Sequence, residues 1–144
     1  MASHERTEAE MEGLLRDRGF DEDVVAATMT DLVAEGSIDD SRFATRFASD
    51  KQEISGWGPE RIRAALSRRG IPFGLIDEAV SDDEFGEQVR RGSQWLEGRR
   101  PDLDSDSGRA KALASLARQG YSSEVAYEVL RALSREERDA QPSG

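Results

Sequence analysis

Two pairs of adjacent aspartates are the first candidates for chemistry in this sequence. Residues 39–40 and 82–83 carry carboxylates that could hold a metal ion. Adjacent acids at a helix start more often cap the helix and favour its positive end, so we interpret both pairs as caps. The sole histidine is His4, and the sequence has no cysteine. The residue types therefore give no catalytic triad, no thiolate site and no paired-histidine zinc site, and we predict neither catalysis nor a cofactor.

Positive charge is concentrated in residues 41–70. The chain has 20 Lys and Arg against 30 Asp and Glu, a net charge of −10, yet this segment holds seven bases and three acids. An interface for a polyanion or an acidic protein would use it, although a solvated helix face explains the same arginines. The candidate contact residues are Arg42, Arg46, Lys51, Trp57, Arg61, Arg63, Arg68 and Arg69.

Trp57 lies in a Gly-Trp-Gly-Pro turn at residues 56–59, and four arginines of the set follow this turn. The turn is not a phosphate loop, because no Gly-Lys-Ser/Thr follows it. Trp57 either packs onto the next helix as a hydrophobic staple or forms an exposed platform for base stacking. Arg61 and Arg68 are seven residues apart and should share one exposed side of a helix, whereas Arg63 projects elsewhere.

The elements that position these residues are all predicted to be helices. A capping box begins the first helix at residue 7, glycines end several helices, and Pro59 suits a first helical position. No alternating pattern typical of β-strands occurs. The predicted helices cover residues 8–18, 22–35, 41–54, 59–69, 73–81, 84–97, 109–119 and 123–133.

A repeat of about 50 residues organises these helices. Gly19, Gly70 and Gly120 are each preceded by a leucine four residues earlier and followed by a large apolar residue. We expect a left-handed glycine after each helix, a buried leucine before it, and an apolar residue after it that staples to the next helix. Core positions are also predicted for Phe43, Phe47, Phe85 and Trp95.

The repeat predicts stacked helical modules, because each unit needs neighbours to bury its apolar face. Module 1 is predicted at residues 1–36, with a short or missing leading helix, and module 2, the basic one, at 37–81. Module 3 is predicted at residues 82–134. Residues 135–144 are predicted to be a frayed, disordered tail.

Two elements in the middle of the chain resemble the signature of the RecX family of regulatory proteins. These are Asp-Asp-x-Arg-Phe at residues 39–43 and Gly-x-Gly-Pro-x-Arg-Ile-Arg at residues 56–63. Either element alone is weak, but their order is specific, and the resemblance covers roughly residues 7–133. It implies an all-α fold of tandem three-helix modules in a curved, elongated array.

The resemblance also implies a function. RecX proteins are non-enzymatic modulators that lodge in the groove of RecA-type recombinase filaments on single-stranded DNA and suppress ATP hydrolysis and strand exchange. We expect a monomer acting in the cytoplasm, with single-stranded DNA contacted through the filament. The alternative is a helical-repeat protein that binds nucleic acid without a recombinase. Strong, steeply salt-dependent binding to naked DNA is expected only of the alternative.

Overall fold

The computed structural model describes the backbone of residues 5–140 and the side chains of residues 5–136. Within these ranges the chain forms eight α-helices and no strand, which confirms the all-α prediction. Among the described helices, none is both long enough and apolar enough to cross a bilayer. The helices are α1 (Glu8–Asp17), α2 (Glu22–Ala34), α3 (Asp40–Glu53), α4 (Pro59–Arg68), α5 (Phe73–Val80), α6 (Phe85–Glu97), α7 (Asp106–Gln119) and α8 (Ser123–Ala140).

The observed ends of α7 and α8 differ most from the predicted ones. Helix α7 begins at residue 106 rather than 109, because the Ser105 side chain accepts a hydrogen bond from the Gly108 N–H and caps the helix. Helix α8 continues to Ala140, so residues 135–140 of the predicted tail are helical. Glu128 pairs with both Arg131 and Arg135 across this extension.

Some predictions fall outside the part of the chain that the structure describes. These are the position of His4, the last four residues of the predicted tail, and most of the segment in which a leading helix of module 1 would lie. Residues 5–7 precede α1 without helix, and the capping box between Thr7 and Glu10 is present as predicted. The boundaries of the three modules stay predictions.

The chain divides into two compact units. Unit 1 comprises Met1–Ser49 and Arg63–Val80, and unit 2 comprises Asp50–Ile62 and Ser81–Gly144, so the divisions fall inside α3 and inside α4. In unit 1, α1 packs against α2. One buried cluster of this unit consists of Val25, Met29 and Ile38, against which Met11, Leu15 and Leu32 pack.

The core of unit 2 is formed mainly by α6, α7 and α8, which pack against one another. Most of the buried side chains follow the apolar stripes of α7 and α8, with Tyr121 in the turn between these helices. The cluster consists of Leu96, Leu103, Ala112, Leu116, Tyr121, Val125, Ala126, Val129, Leu130 and Leu133.

The repeat is visible in the backbone. The three repeat glycines have φ angles of 85°, 80° and 106°, in the left-handed region expected after a helix. Leu66 and Leu116 are fully buried, as predicted from the repeat, whereas Leu15 is only partly buried. The predicted core position of Phe85 is wrong, because Phe85 is 49% exposed. Phe20, which is predicted to staple to the next helix, is 48% exposed. Both lie next to helix starts, where apolar pattern alone does not determine burial.

Candidate functional site

The eight predicted contact residues are divided between the two units. Unit 1 contains Arg42, Arg46, Arg63, Arg68 and Arg69, whereas unit 2 contains Lys51, Trp57 and Arg61. All of them lie on α3, on α4 or in the turns that follow these helices. Each set therefore has its own neighbours and its own local geometry.

Arg42 and Arg46 form an exposed pair, one helical turn apart on α3. Their side chains are 45% and 52% exposed. Both face the carboxylate of Glu5, with 2.9 Å between Arg46 Nη1 and Glu5 Oε2 and 3.8 Å between Arg42 Nε and Glu5 Oε1. Arg42 also donates to the carbonyl of Gly36 at 3.0 Å. The pair is therefore accessible to another molecule, but its charge is partly balanced by Glu5.

Arg69 stabilises the start of α1. Its guanidinium donates to both carboxylate oxygens of Glu10, at 2.6 and 2.9 Å, and lies 4.5 Å from the ring centroid of Phe43. The Thr7 hydroxyl donates to the Arg69 carbonyl at 2.7 Å. The Arg69 hydrogen bonds hold the pKa of Glu10 below its usual value. These bonds give Arg69 a structural role in unit 1.

The other two arginines of unit 1 differ in their partners. Arg63 Nη2 donates to Asp77 Oδ1 at 3.1 Å, and this ion pair is exposed. Arg68, in the last turn of α4, is exposed and has no ion-pair or hydrogen-bond partner for its side chain among the described residues. Arg68 is therefore well suited to contact another molecule.

Trp57 is covered by two cationic side chains of unit 2. Arg61 Cζ lies 4.0 Å and Lys51 Nζ 4.7 Å from the centroid of the indole ring. Arg61 also donates to the side-chain oxygen of Gln119 at 2.8 Å. Arg61 is therefore only partly exposed, so the expectation of an exposed position is met by Arg68 and only in part by Arg61. A long-range hydrogen bond and a cation–π contact hold it in place.

The turn that contains Trp57 is bound to the turn between α7 and α8. The Gly58 N–H donates to the Gln119 carbonyl at 2.9 Å, and Gln119 Nε2 donates to the Ser55 carbonyl at 2.8 Å. The Tyr121 hydroxyl donates to the Gly56 carbonyl at 2.6 Å. These bonds satisfy backbone groups of an irregular segment that would otherwise lose their partners on burial.

The two turns approach so closely that glycine is needed on both sides. A Cβ atom at Gly58 would lie 2.7 Å from the Tyr121 nitrogen and would overlap the Gly120 carbonyl. A Cβ atom at Gly120 would lie 2.7 Å from the Arg61 nitrogen. The glycines of the Gly-x-Gly-Pro element thus serve packing in unit 2.

Sequence reasoning missed a buried ion pair behind this turn. Arg91 donates to both oxygens of Asp83, at 3.0 and 2.7 Å, and the two side chains are only 10% and 3% exposed. Arg91 Nε also donates to the Trp57 carbonyl at 3.2 Å. Burial acts to lower the pKa of Arg91, but its hydrogen bonds and the Asp83 charge raise it overall. No local pattern identifies the pair, because its third partner is 34 residues away.

The first aspartate pair caps two different helices. Asp39 Oδ1 accepts the Arg42 N–H at 3.1 Å near the start of α3. Asp40 is buried and accepts the Glu8 N–H at 2.9 Å, so it caps α1. Burial, together with the Asp40 carboxylate, raises the pKa of Glu8. In the described part of the chain, no three His, Asp or Glu side chains are grouped as a metal site would require.

Comparison with known proteins places this geometry in a family. Residues 39–80 match the family model described as RecX, second three-helix domain. The regulatory protein RecX of Mycobacterium ulcerans (strain Agy99) is 33% identical over 143 residues, covering 96% of this chain and 83% of that protein. The regulatory protein RecX of Mycobacterium sp. (strain JLS) is 31% identical over 137 residues, covering 90% and 75%.

A solved structure agrees with the sequence matches. The crystal structure of RecX from Lactobacillus salivarius superposes with a TM-score of 0.83 at 25% identity, covering 92% of this chain and 88% of that one. The resemblance to RecX is thereby confirmed, and it extends beyond the middle segment to more than nine-tenths of this chain. The chain belongs to the RecX family of regulatory proteins.

Proposed function

We propose that this protein is a non-catalytic regulator of a RecA-type recombinase. It binds the recombinase filament on single-stranded DNA and inhibits or tunes filament assembly, ATP hydrolysis and strand exchange during DNA repair and recombination. The observation that carries the proposal is the family membership, which extends over most of the chain. The proposal includes a monomer that acts in the cytoplasm, where chromosomal DNA and recombinases are found.

The contact surface that we propose consists of the exposed arginines of unit 1. Arg42, Arg46 and Arg68 have exposed guanidinium groups, whereas Arg61 and Arg69 are engaged in packing. The planar guanidinium group of arginine presents several N–H donors in one fixed fork, which suits recognition of carboxylates or phosphates. Lys51, Trp57 and Arg63 stay candidates outside this set.

Direct binding to DNA alone is the weaker alternative because the chain carries a net charge of −10. Binding to a DNA strand depends largely on the neutralisation of phosphates by Lys and Arg, and it weakens steeply with added salt. A protein partner needs fewer neutralising contacts. The charge of this chain therefore favours a contact that is made mainly with the recombinase.

The test measures ATP hydrolysis by a recombinase on single-stranded DNA, with and without this protein. We expect the protein to lower the hydrolysis rate, and Arg68→Glu to lose most of that inhibition, because like charges then face each other across the contact. Arg18→Glu is the matched control. Arg18 is also exposed at the end of a helix in unit 1, but it lies outside the basic segment.

The outcomes separate the two candidate functions. Equal inhibition by the Arg68→Glu and Arg18→Glu variants would remove Arg68 from the interface. No inhibition by the wild-type protein, together with strong binding to naked single-stranded DNA, would replace the recombinase regulator with the DNA-binding alternative. Circular dichroism of both variants checks that the helices are retained, since exposed substitutions change stability by less than about 0.5 kcal/mol.

A further inference from the structure

The N-terminal acidic segment, defined here as residues 5–10, contacts three arginines of the basic segment. The Glu5 carboxylate faces Arg42 and Arg46, and the Glu5 carbonyl accepts a hydrogen bond from Arg69 Nη2 at 3.3 Å. Glu10 binds Arg69 through both of its oxygens. Glu5 and Glu10 thus contact arginines of the basic segment, residues 41–70, that are more than thirty residues away in the sequence.

The two contacts of this segment differ in burial. Glu10 and Arg69 are about two-thirds shielded, with 32% and 35% of their side chains exposed, and their bonds are bidentate. Glu5 has 25% exposure, but its partners Arg42 and Arg46 are about half exposed. The Glu10 contact therefore anchors the segment, whereas the Glu5 carboxylate occupies arginines that another molecule can reach.

We propose that Glu5 is an internal competitor for a carboxylate of a partner protein. Its carboxylate occupies the position between Arg42 and Arg46 that a partner's acidic segment takes on binding. The nature of that partner as a recombinase rests on the proposed function, but the competition itself does not. Displacement of one side chain is sufficient, because the Glu10 contact and the capping box keep the start of α1 in place.

The site favours a protein carboxylate over the phosphates of DNA. Its present occupant is a single carboxylate on a peptide, shared between two guanidinium groups one turn apart. Residues 1–40, which include Glu5, hold twelve acids and three bases, and a DNA strand carries a negative charge on every phosphate. A partner's acidic segment supplies the same chemical group as the present occupant.

The variant Glu5→Gln tests the competition, with Glu22→Gln as its control. Both substitutions remove one negative charge, and Glu22 also pairs with an exposed arginine, Arg16, elsewhere in unit 1. The probe is a hexaglutamate peptide, added to protein with isotope-labelled arginines while the arginine Nε–Hε resonances are followed by NMR. Ionic strength is held at about 20 mM, where screening of exposed charges is weak.

We expect Glu5→Gln to bind the peptide about twofold to fivefold more tightly than Glu22→Gln does, the range that an exposed ion pair supports. The Arg42 and Arg46 resonances should shift with the peptide concentration. The double variant Glu5→Gln/Arg46→Gln should return the affinity to that of Glu22→Gln. Equal affinities for the two single variants, or an increase that survives loss of Arg46, would overturn the proposal.

A parallel titration with an oligothymidylate of six phosphates distinguishes the chemical classes. A gain in affinity for the oligonucleotide without a gain for the peptide would overturn the assignment to a protein carboxylate. The recombinase assay keeps the two proposals separable. If the wild type does not inhibit ATP hydrolysis but Glu5→Gln gains peptide affinity, the proposed function fails and the competition stands. If the wild type inhibits ATP hydrolysis but the two single variants bind the peptide equally, the competition fails and the proposed function stands.

Discussion

Replacement of Gly58 by alanine tests whether the Gly-x-Gly-Pro element serves packing. The backbone at Gly58 is not in the left-handed region, so alanine is allowed by conformation. The obstacle is contact, because the new Cβ would lie 2.5 Å from the Gly120 carbonyl carbon and 2.7 Å from the Tyr121 nitrogen. Both are backbone atoms, so relief requires the two turns to separate.

Separation of the turns has a calculable cost. Overpacking costs about 1–3 kcal/mol, and each backbone hydrogen bond that is lost adds about 0.5–1.5 kcal/mol. Two such bonds join the turns, from Gly58 N–H to the Gln119 carbonyl at 2.9 Å and from Glu60 N–H to the Gly120 carbonyl at 3.1 Å. We therefore expect Gly58→Ala to lower the free energy of unfolding by about 2–6 kcal/mol.

Urea titration followed by circular dichroism measures this loss. With an m-value of about 2 kcal/mol/M, the midpoint should fall by about 1–3 M. Gly86→Ala is the control, because it lies in α6 with open space around the position and alanine favours a helix. If Gly58→Ala unfolds within about 0.5 kcal/mol of the wild type, the close approach of the turns is refuted.

Three further predictions address the core and the ion pairs. Leu66→Ala should lower the free energy of unfolding by about 2–5 kcal/mol, because Leu66 is fully buried; a loss below about 0.5 kcal/mol in urea would contradict the repeat. Arg69 lowers the pKa of Glu10 below 4.5, so this pair stabilises the fold above that pH and stops doing so as the pH falls through the lowered pKa. Urea titrations of wild type and Glu10→Gln should therefore differ at about pH 7, and the difference should shrink as the pH falls below 4.5; a constant difference would exclude the ion pair as its cause. Asp83→Asn should destabilise by about 3–5 kcal/mol, because it leaves the Arg91 charge buried without its partner; an unchanged melting temperature would show that the pair is dispensable.

The helices were predictable because their signals are local. Helix starts, glycine stops and apolar spacing depend on residues within four positions of one another, so all eight helices were found from sequence. The repeat also made it possible to predict the left-handed conformation of the three glycines and the burial of Leu66 and Leu116. The extension of α8 was missed because a charged surface helix has no apolar stripe to mark its end.

The candidate site was harder to predict because its contacts are distant in sequence. Seven of the eight residues are predicted from their charge, but Arg61 is bound by Gln119, 58 residues away, and Arg69 by Glu10, 59 residues away. The distribution of charge along the sequence locates a basic segment, but it does not show which residues of the chain its arginines bind. The pairing of Glu5 with Arg42 and Arg46 is likewise absent from any local pattern.

The most recognisable residues of the chain and its best candidates for binding are therefore different residues. The Gly-x-Gly-Pro-x-Arg element joins two turns of unit 2, where Gly58 and Arg61 have little freedom to change. A substitution there would abolish function by unfolding the unit, and such a loss gives no information on the partner. Arg42, Arg46 and Arg68 are exposed and less constrained by packing. Loss of regulation with retained stability at these three positions is the result that would identify the contact surface.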